Sequence, residues 1–450
     1  MPFSRIAKRF TASAAGVLVA RLIALVSVFA FNAILARSLC AADFGQFVLI
    51  FSSASVASLF ACVGLNRLIV RRLAEDEELS SISAQSTVVA GVKVAVLGGC
   101  IVGLVTAASS FFFEPSATSE LSWRALLWGS IILLRTVHLV IAESLRGMHE
   151  RVWSNLFGSP AGGPLPHLLF VILLAIFAPL RTTLWGVLSL YAVSYLVTFP
   201  VLWFAVQRVT HACEGDSCES VDVRNLGLLS LGLPLMFTQT CGLAMSQADI
   251  WIAGAMVAPA AIAIYGSAQR MLSLLTVPLQ IAGTAIVNFV PGMAKQNRQR
   301  FQDMVGLAAN IGGIPGVAMA CVFLLFAETI LTTVFGPQYA NAASLLRILT
   351  LGQIVCLLTG PCEISLMMAG HERTTLKVNV IAAVTLFIVG AIATQQFGLI
   401  GLAATIAFVT ATQNLVNWML ARQLLGVWTH VGATGIPSTL IPKFTRQVHA

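Results

Sequence analysis

Apolar runs of about 20 to 28 residues recur from one end of this chain to the other, parted only by short polar stretches, and this is the length a bilayer demands. A helix rises about 1.5 Å per residue, so about 20 apolar residues cross roughly 30 Å of hydrocarbon. The runs fall near residues 15–36, 44–65, 87–111, 122–144, 155–178, 184–206, 228–256, 262–290, 306–330, 344–369, 376–396 and 400–421. Twelve spans with short connections use nearly all of the 450 residues, which leaves no room for a soluble domain of useful size. Only 10% of residues are charged. Soluble domains carry about a quarter, so an ordinary globular enzyme is excluded.

The sign of the charge reports orientation. The chain has 26 Lys and Arg against 18 Asp and Glu, a net +8. An excess of that kind could suggest nucleic acid, but the cations fall mainly in short loops between apolar runs, so no nucleic-acid partner is expected. Arg5, Lys8, Arg9, Arg67, Arg71, Arg72, Arg146, Arg151, Arg208, Arg224, Lys295, Arg298, Arg300, Arg373, Lys377, Arg422, Lys443 and Arg446 lie on one side. Arg37, Arg181, Arg124 and Arg347 lie on the other. The expected protein is therefore multi-pass with both termini in the cytoplasm. The Arg5–Arg9 cluster precedes a stretch too long for a signal-peptide core and without a convincing cleavage site, so that stretch reads as the first span. The nine cysteines are scattered, and the loop pair Cys213 and Cys218 matches neither a zinc nor a redox spacing.

The sequence repeats. Gly147-Met148-His149-Glu150-Arg151 returns as Ala369-Gly370-His371-Glu372-Arg373, Ala41–Phe47 aligns with Pro259–Tyr265, and Trp203 and Trp418 close corresponding spans. Matches in order at nearly constant offset indicate duplication of a six-span unit. Six is even, so both copies enter the membrane in the same sense, and their pseudo-two-fold axis runs along the membrane normal. The expected fold class is all-α: a polytopic membrane protein with twelve transmembrane helices in two pseudo-symmetric six-helix bundles that enclose a central cavity. Residues 1–214 would form the N-terminal lobe, 215–422 the C-terminal lobe and 423–450 a cytoplasmic tail.

Enzymatic signatures are missing. None of the five lysines follows glycine, so there is no phosphate-cradling P-loop. His149-Glu150 and His371-Glu372 look like half of a zinc HExxH motif, but Trp153 and Thr375 stand where the second histidine belongs. The external loops are short and nearly free of carboxylates and histidines. The expectation is a protein that is not an enzyme, with no cofactor and no metal.

Ionisable side chains inside spans are functional candidates, because each costs about 2.5 to 3.5 kcal/mol at mid-bilayer. Arg135 lies near the middle of the fourth span. At 100° per residue Arg124, Trp128, Ile131, Arg135, His138 and Ala142 share a face, a basic stripe suited to a cavity or a helix interface rather than lipid. Arg21 shares a face with Asn32, and Lys93 lies equally shallow, within reach of the interface. In the seventh span Thr238, Gln239, Ser246 and Asp249 form a polar arc, matched in the eighth by Tyr265, Gln269, Thr276 and Gln280. Asp249 and Arg270 sit at equal depth, which suggests that they are neighbours. Glu363 follows a Gly360-Pro361 kink. Ser159–His167, with three prolines and two glycines, cannot form an unbroken helix and reads as a hinge or cavity wall. Gly99 with Gly103, and Gly312 with Gly316, read as close helix packing.

The segment from Ile34 to Phe47, with Leu35-Ala36-Arg37 and Asp43-Phe44-Gly45, resembles a turn of the bacterial polysaccharide-transport flippases. Ala248-Asp249, Ile262–Tyr265, Phe335-Gly336-Pro337-Gln338-Tyr339 and Ala369–Arg373 resemble their counterparts there, although Cys40 and Ala263 stand where glycine is usual. The resemblance runs from about residue 10 to 425. It implies the superfamily shared by multidrug exporters and the lipid II flippase, and movement of an undecaprenyl-pyrophosphate-linked oligosaccharide across the bacterial cytoplasmic membrane for exopolysaccharide, capsule or O-antigen assembly. Arg135, His138, Arg124, Arg21 and Arg270 are then the substrate-binding candidates, and Asp249 and Glu363 the candidates for Na⁺ or H⁺ coupling. Membrane lipid and a polysaccharide polymerase are the other partners expected. The rival readings are a cation-coupled multidrug antiporter on the same scaffold and a non-transporting scaffold of a glycan-synthesis complex.

Overall fold

Glycine or proline marks several of the breaks between helices, at Gly64, Gly163-Pro164 and Gly360-Pro361, while Pro200, Pro278 and Pro315 stand inside helices. A computed structural model describes residues 3–75, 81–113, 120–148, 150–158, 162–211, 232–289 and 298–432, and among these residues there is no strand. The helices are α1 (Phe3–Ser38), α2 (Ala41–Ala61), α3 (Leu65–Glu75), α4 (Ser81–Phe113), α5 (Glu120–Gly147), α6 (Arg151–Phe157), α7 (Pro164–Ile176) and α8 (Leu184–His211). They continue with α9 (Leu233–Met256), α10 (Pro259–Phe289), α11 (Arg298–Phe335), α12 (Ala342–Thr359), α13 (Cys362–Met368) and α14 (Glu372–Leu420). Eight of the described helices, α2, α4, α5, α8, α10, α11, α12 and α14, are long and apolar enough to cross a membrane, and stretches of α1 and α7 are shorter apolar helices. An all-helical build follows from the solvent: hydrocarbon offers the backbone no hydrogen-bond partner, so each segment must satisfy its own.

The chain divides into two compact units, Met1–Gln247 and Ala248–Ala450. The division falls within α9. The boundary expected near residue 214 lies outside the described residues, as do Cys213 and Cys218.

In the first unit, Leu59, Ile69, Val140, Leu145, Phe157 and Leu202 belong to one buried cluster. Small residues bring helices together: Gly103 on α4 and Gly129 on α5 face each other so closely that a Cβ on either would meet the partner's backbone at 3.0 Å. Gly99 packs the same way on Leu133 of α5. Association in lipid depends on such close approach, because no hydrophobic force drives helix to helix there. The second expected span, 44–65, ends early. α2 stops at Ala61, Val63 (φ 49°) and Gly64 (φ 73°) turn the chain, and α3 begins. Leu65, Leu68, Ile69 and Leu73 are buried while Arg67 and Arg72 are exposed, so the basic loop of the sequence reading is an amphipathic helix. The expected break in the fifth span is present: α6 ends at Phe157 and α7 starts at Pro164. Residues 159–161 lie outside the described residues.

In the second unit, Gly398 (φ 62°) interrupts the 49 residues of α14. A Cβ on Gly401 would strike the carbonyl of Ala393, a contact impossible along one straight helix, so the chain turns back on itself at Gly398 and the halves correspond to the runs 376–396 and 400–421. A side chain at Gly398 would be strained, since L-residues avoid that φ. Gly312 and Gly316 of α11 pack against Leu279 of α10 and Leu357 of α12. The Gly360-Pro361 kink separates α12 from α13. The part of the expected tail just after α14 is folded back: Val431 N–H donates to the Leu358 carbonyl (2.9 Å), and Thr429 Oγ1 donates to that of Thr359 (2.8 Å).

Candidate functional site

Each unit holds a buried charged group in a polar nest. In the first, α5 presents Arg135 and His138 at adjacent turns, α8 presents Tyr191 and Tyr195 four residues apart, and α2 presents Phe51 and Ser55 with the same spacing, so each pair shares a helix face. Arg135 is 3% exposed. Its Nη1 donates to Tyr191 Oη (2.9 Å), its Nη2 donates to Ser55 Oγ (2.8 Å), and the guanidinium lies 5.1 Å from the centroid of the Phe51 ring. The two hydroxyls and the ring face supply the electron density that water would otherwise give a guanidinium. The basic stripe of α5 is thus closed against protein here: His138 is 1% exposed, with Nδ1 at 3.0 Å from the Leu134 carbonyl and Nε2 at 3.3 Å from Thr198 Oγ1.

His167 completes this nest, and the sequence reading took it only as part of a broken segment. The interruption before Pro164 places the first turn of α7 so that His167 Nε2 lies 3.4 Å from Tyr191 Oη, with its ring stacked on Tyr191 and tilted against Phe31 and Phe51. Gly162 rests over His167 and the Tyr195 hydroxyl, leaving no room for a Cβ. Tyr191 and Tyr195 hydroxyls are 3.3 Å apart. A narrow crevice lined by Ser58, Arg135, His138, Phe157, Gly163 and Tyr195 runs beside the guanidinium. The side chains of Arg21 and Arg124 lie outside the described residues, and Lys93 is exposed. Glu143, absent from the candidates read in the sequence, is 4% exposed and pairs with Arg146 at 3.1 Å.

The polar arc on the first half of α9 meets helices rather than empty space. Gln239 Oε1 accepts from Asn66 Nδ2 (2.9 Å) and Arg67 Nε (3.3 Å), and Gln247 Oε1 accepts from Ser52 Oγ (2.9 Å).

In the second unit the buried charge is acidic. Asp249 Oδ2 accepts from Tyr265 Oη (2.7 Å) and Gln269 Nε2 (2.6 Å) of α10, and its Oδ1 accepts from the Ile250 N–H (2.8 Å). The two expected polar faces therefore meet at Asp249. Arg270, half-buried, acts on Asp249 through its charge, while the direct hydrogen bonds come from the tyrosine and the amide. Glu363 Oε1 accepts from Asn379 Nδ2 (2.8 Å), whose Oδ1 accepts from Gln413 Nε2 (2.8 Å), a relay joining α13 to both halves of α14.

The sequence matches the model of a family described as polysaccharide biosynthesis protein over residues 6–296, well over half of the chain. The chain belongs to the polysaccharide biosynthesis protein family. No curated protein sequence gives a significant match. Among solved structures, this family member is similar to an inward-facing multidrug resistance MATE family transporter of the MOP superfamily, at 18% identity and a TM-score of 0.64, covering 92% of this chain and 98% of that one. It is also similar to the lipid II flippase MurJ in an inward closed conformation, at 14% identity and a TM-score of 0.62, covering 92% and 87%. A third similar structure is a MOP superfamily transporter from Pyrococcus furiosus with a binding pocket described as reversed in polarity, at 15% identity and a TM-score of 0.59, covering 92% and 96%. The polysaccharide biosynthesis protein described here thus has the MOP-superfamily fold and is a multi-pass membrane protein; family and fold together support a membrane flippase or transporter.

Proposed function

We propose that the protein is a flippase that carries an undecaprenyl-pyrophosphate-linked oligosaccharide repeat across the bacterial cytoplasmic membrane by alternating access, for assembly of a surface polysaccharide. The observation that carries this reading is the family match, and the deep guanidinium of Arg135 gives it a chemical handle. A pyrophosphate entering the membrane must replace lost hydration, and a guanidinium does so with paired, charge-assisted hydrogen bonds. Tyr191 and Ser55 hold that guanidinium with neutral hydroxyls, which an anion can displace at little electrostatic cost. Asp249 is the coupling residue in this scheme, exchanging its tyrosine and glutamine donors for a proton or Na⁺, and Glu363 is the secondary acid. Transport needs no cofactor and makes or breaks no covalent bond. An inside-negative potential would assist outward movement of an anion by about 2.3 kcal/mol per charge per 100 mV.

The test is flipping of a fluorescent polyprenyl-pyrophosphate oligosaccharide by purified protein in liposomes. Movement to the far leaflet supports the proposal. Its absence, with a correctly inserted protein, overturns it. A second reading, an antiporter of organic cations, is favoured by the acidic nest of the second unit; efflux of a cationic dye by the same liposomes would select it.

A further inference from the structure

The end of the second unit carries a cationic and aromatic cluster that neither the flippase reading nor the coupling residues use. It is built by the segment that leaves α14. Trp428 is pinned by two hydrogen bonds to one side chain: Gln302 Nε2 donates to its carbonyl (2.7 Å), and Gln302 Oε1 accepts from its N–H (2.6 Å). The rings of Trp418, Trp428 and His430 pack on one another with centroids 5.3 to 6.0 Å apart. The Arg422 guanidinium lies over Trp428, 4.0 Å from the ring centroid, and donates from Nη1 to the Gly426 carbonyl (3.1 Å). Arg298, the first residue of α11, rests its guanidinium on the same Gly426, where a Cβ would coincide with it. Two guanidinium groups that repel each other are therefore held against one glycine.

Three nitrogens of this cluster, Arg298 Nε, Trp418 Nε1 and His430 Nδ1, are shielded from solvent and meet no hydrogen-bond partner among the described residues. Polar atoms shielded from water without a partner carry a desolvation penalty. Two converging cations and a set of unused ring and guanidinium nitrogens call for an acceptor with several oxygens and negative charge. The cluster lies where two long apolar helices end, beside the exposed apolar side chains of Met419 and Leu424. Tryptophan and arginine at the end of a span, with lipid-facing apolar residues beside them, are the composition of a headgroup contact.

We propose that Arg298, Arg422, Trp418, Trp428 and His430 form a binding site for the phosphate of an anionic phospholipid headgroup, with the acyl chains lying along Met419 and Leu424. The site is independent of the glycan substrate and needs only a membrane-embedded protein.

Native mass spectrometry of the full-length protein, titrated in turn with phosphatidylglycerol, phosphatidylcholine of the same chain length and inorganic phosphate, tests it. The expected result is a phosphatidylglycerol adduct at least about tenfold tighter than the phosphatidylcholine adduct and not displaced by excess inorganic phosphate. Arg298→Gln removes a guanidinium whose Nε finds no acceptor among the described residues, so it should leave the thermal transition in detergent unchanged while weakening phosphatidylglycerol binding about tenfold. Arg422→Gln should weaken it further. Arg208→Gln, on an exposed end of α8, serves as the charge-matched control and should have no effect. Unaltered phosphatidylglycerol binding in Arg298→Gln, or equal losses in Arg208→Gln, would overturn the site. Displacement of the lipid by inorganic phosphate would overturn the assignment to phospholipid and leave a soluble anion as the ligand.

Discussion

The two units bury opposite charges in similar company. In the first, a guanidinium is held by tyrosine and serine hydroxyls and an aromatic face. In the second, a carboxylate is held by a tyrosine hydroxyl, a glutamine amide and a backbone N–H. Both solutions use a tyrosine, which serves either sign: its oxygen accepts from Arg135, and its proton is given to Asp249. The two environments differ in their remaining neighbours. Phe31, Phe47, Phe51, Phe170 and His167 form a ring cluster that reaches the guanidinium through Phe51, whereas the second nest is built between α9 and α10 around Tyr265. A tyrosine beside each buried charge lets a similar helical frame hold either sign, and under the proposed function the basic nest would serve the anionic headgroup and the acidic nest the coupling cation.

The largest effect is expected at Arg135. Arg135→Ala strands the Tyr191 and Ser55 hydroxyls and removes two charged hydrogen bonds, each about 1.5 to 3 kcal/mol, so flipping in liposomes should fall by at least about 100-fold with the protein still inserted. Wild-type flipping in that variant would end the assignment of anion handling to the first unit. Arg135→Lys should be intermediate, because an ammonium keeps the charge and loses the fork that spans two acceptors. Asp249→Asn comes next: the amide oxygen still accepts from Tyr265, but no exchangeable charge remains, so the rate should drop about tenfold and cease to respond to an imposed H⁺ or Na⁺ gradient. A variant that still responds would move coupling elsewhere. Tyr191→Phe leaves the guanidinium one partner short at about 0.5 to 1.5 kcal/mol, a loss of about three- to tenfold. The smallest change should come from Glu363→Gln, since a glutamine oxygen still accepts from Asn379; flipping within about twofold of wild type would keep Asp249 as the main acid.

Much of this was legible in the residues because bilayers impose simple rules. Apolar length marked the spans, Gly360-Pro361 and the Ser159–His167 stretch marked breaks that the structure contains, and depth with helix face put Arg135 and Asp249 among the in-span candidates. Helical spacing marked the polar faces that carry Asp249 and Tyr265 with Gln269, but the neighbour expected of Asp249 was Arg270, and the hydrogen bonds from the tyrosine and the glutamine emerge only in the structure. What stayed hidden depends on contacts between distant segments. Tyr191 and Tyr195 read as ordinary apolar-span aromatics, and only the packing of α2, α5, α7 and α8 brings them to Arg135, 56 and 60 positions away. His167 was visible as a residue but not as a neighbour, since the chain's path through the break decides where it points. α3 was missed for another reason: its apolar face is too short to register as a span, and its arginines made it look like a loop.

The return of residues 426–432 onto the second unit has a practical consequence for anyone mapping this protein's topology. The carbonyl of Thr429 occupies the place a side chain at Gly360 would need, and Trp428 is clasped by Gln302. A reporter enzyme or fluorescent tag joined upstream of Gly432 would delete this clasp and uncover Val427 and Thr429, which are otherwise sealed in. Such a fusion would be expected to report on a damaged bundle, so tags belong beyond Gly432.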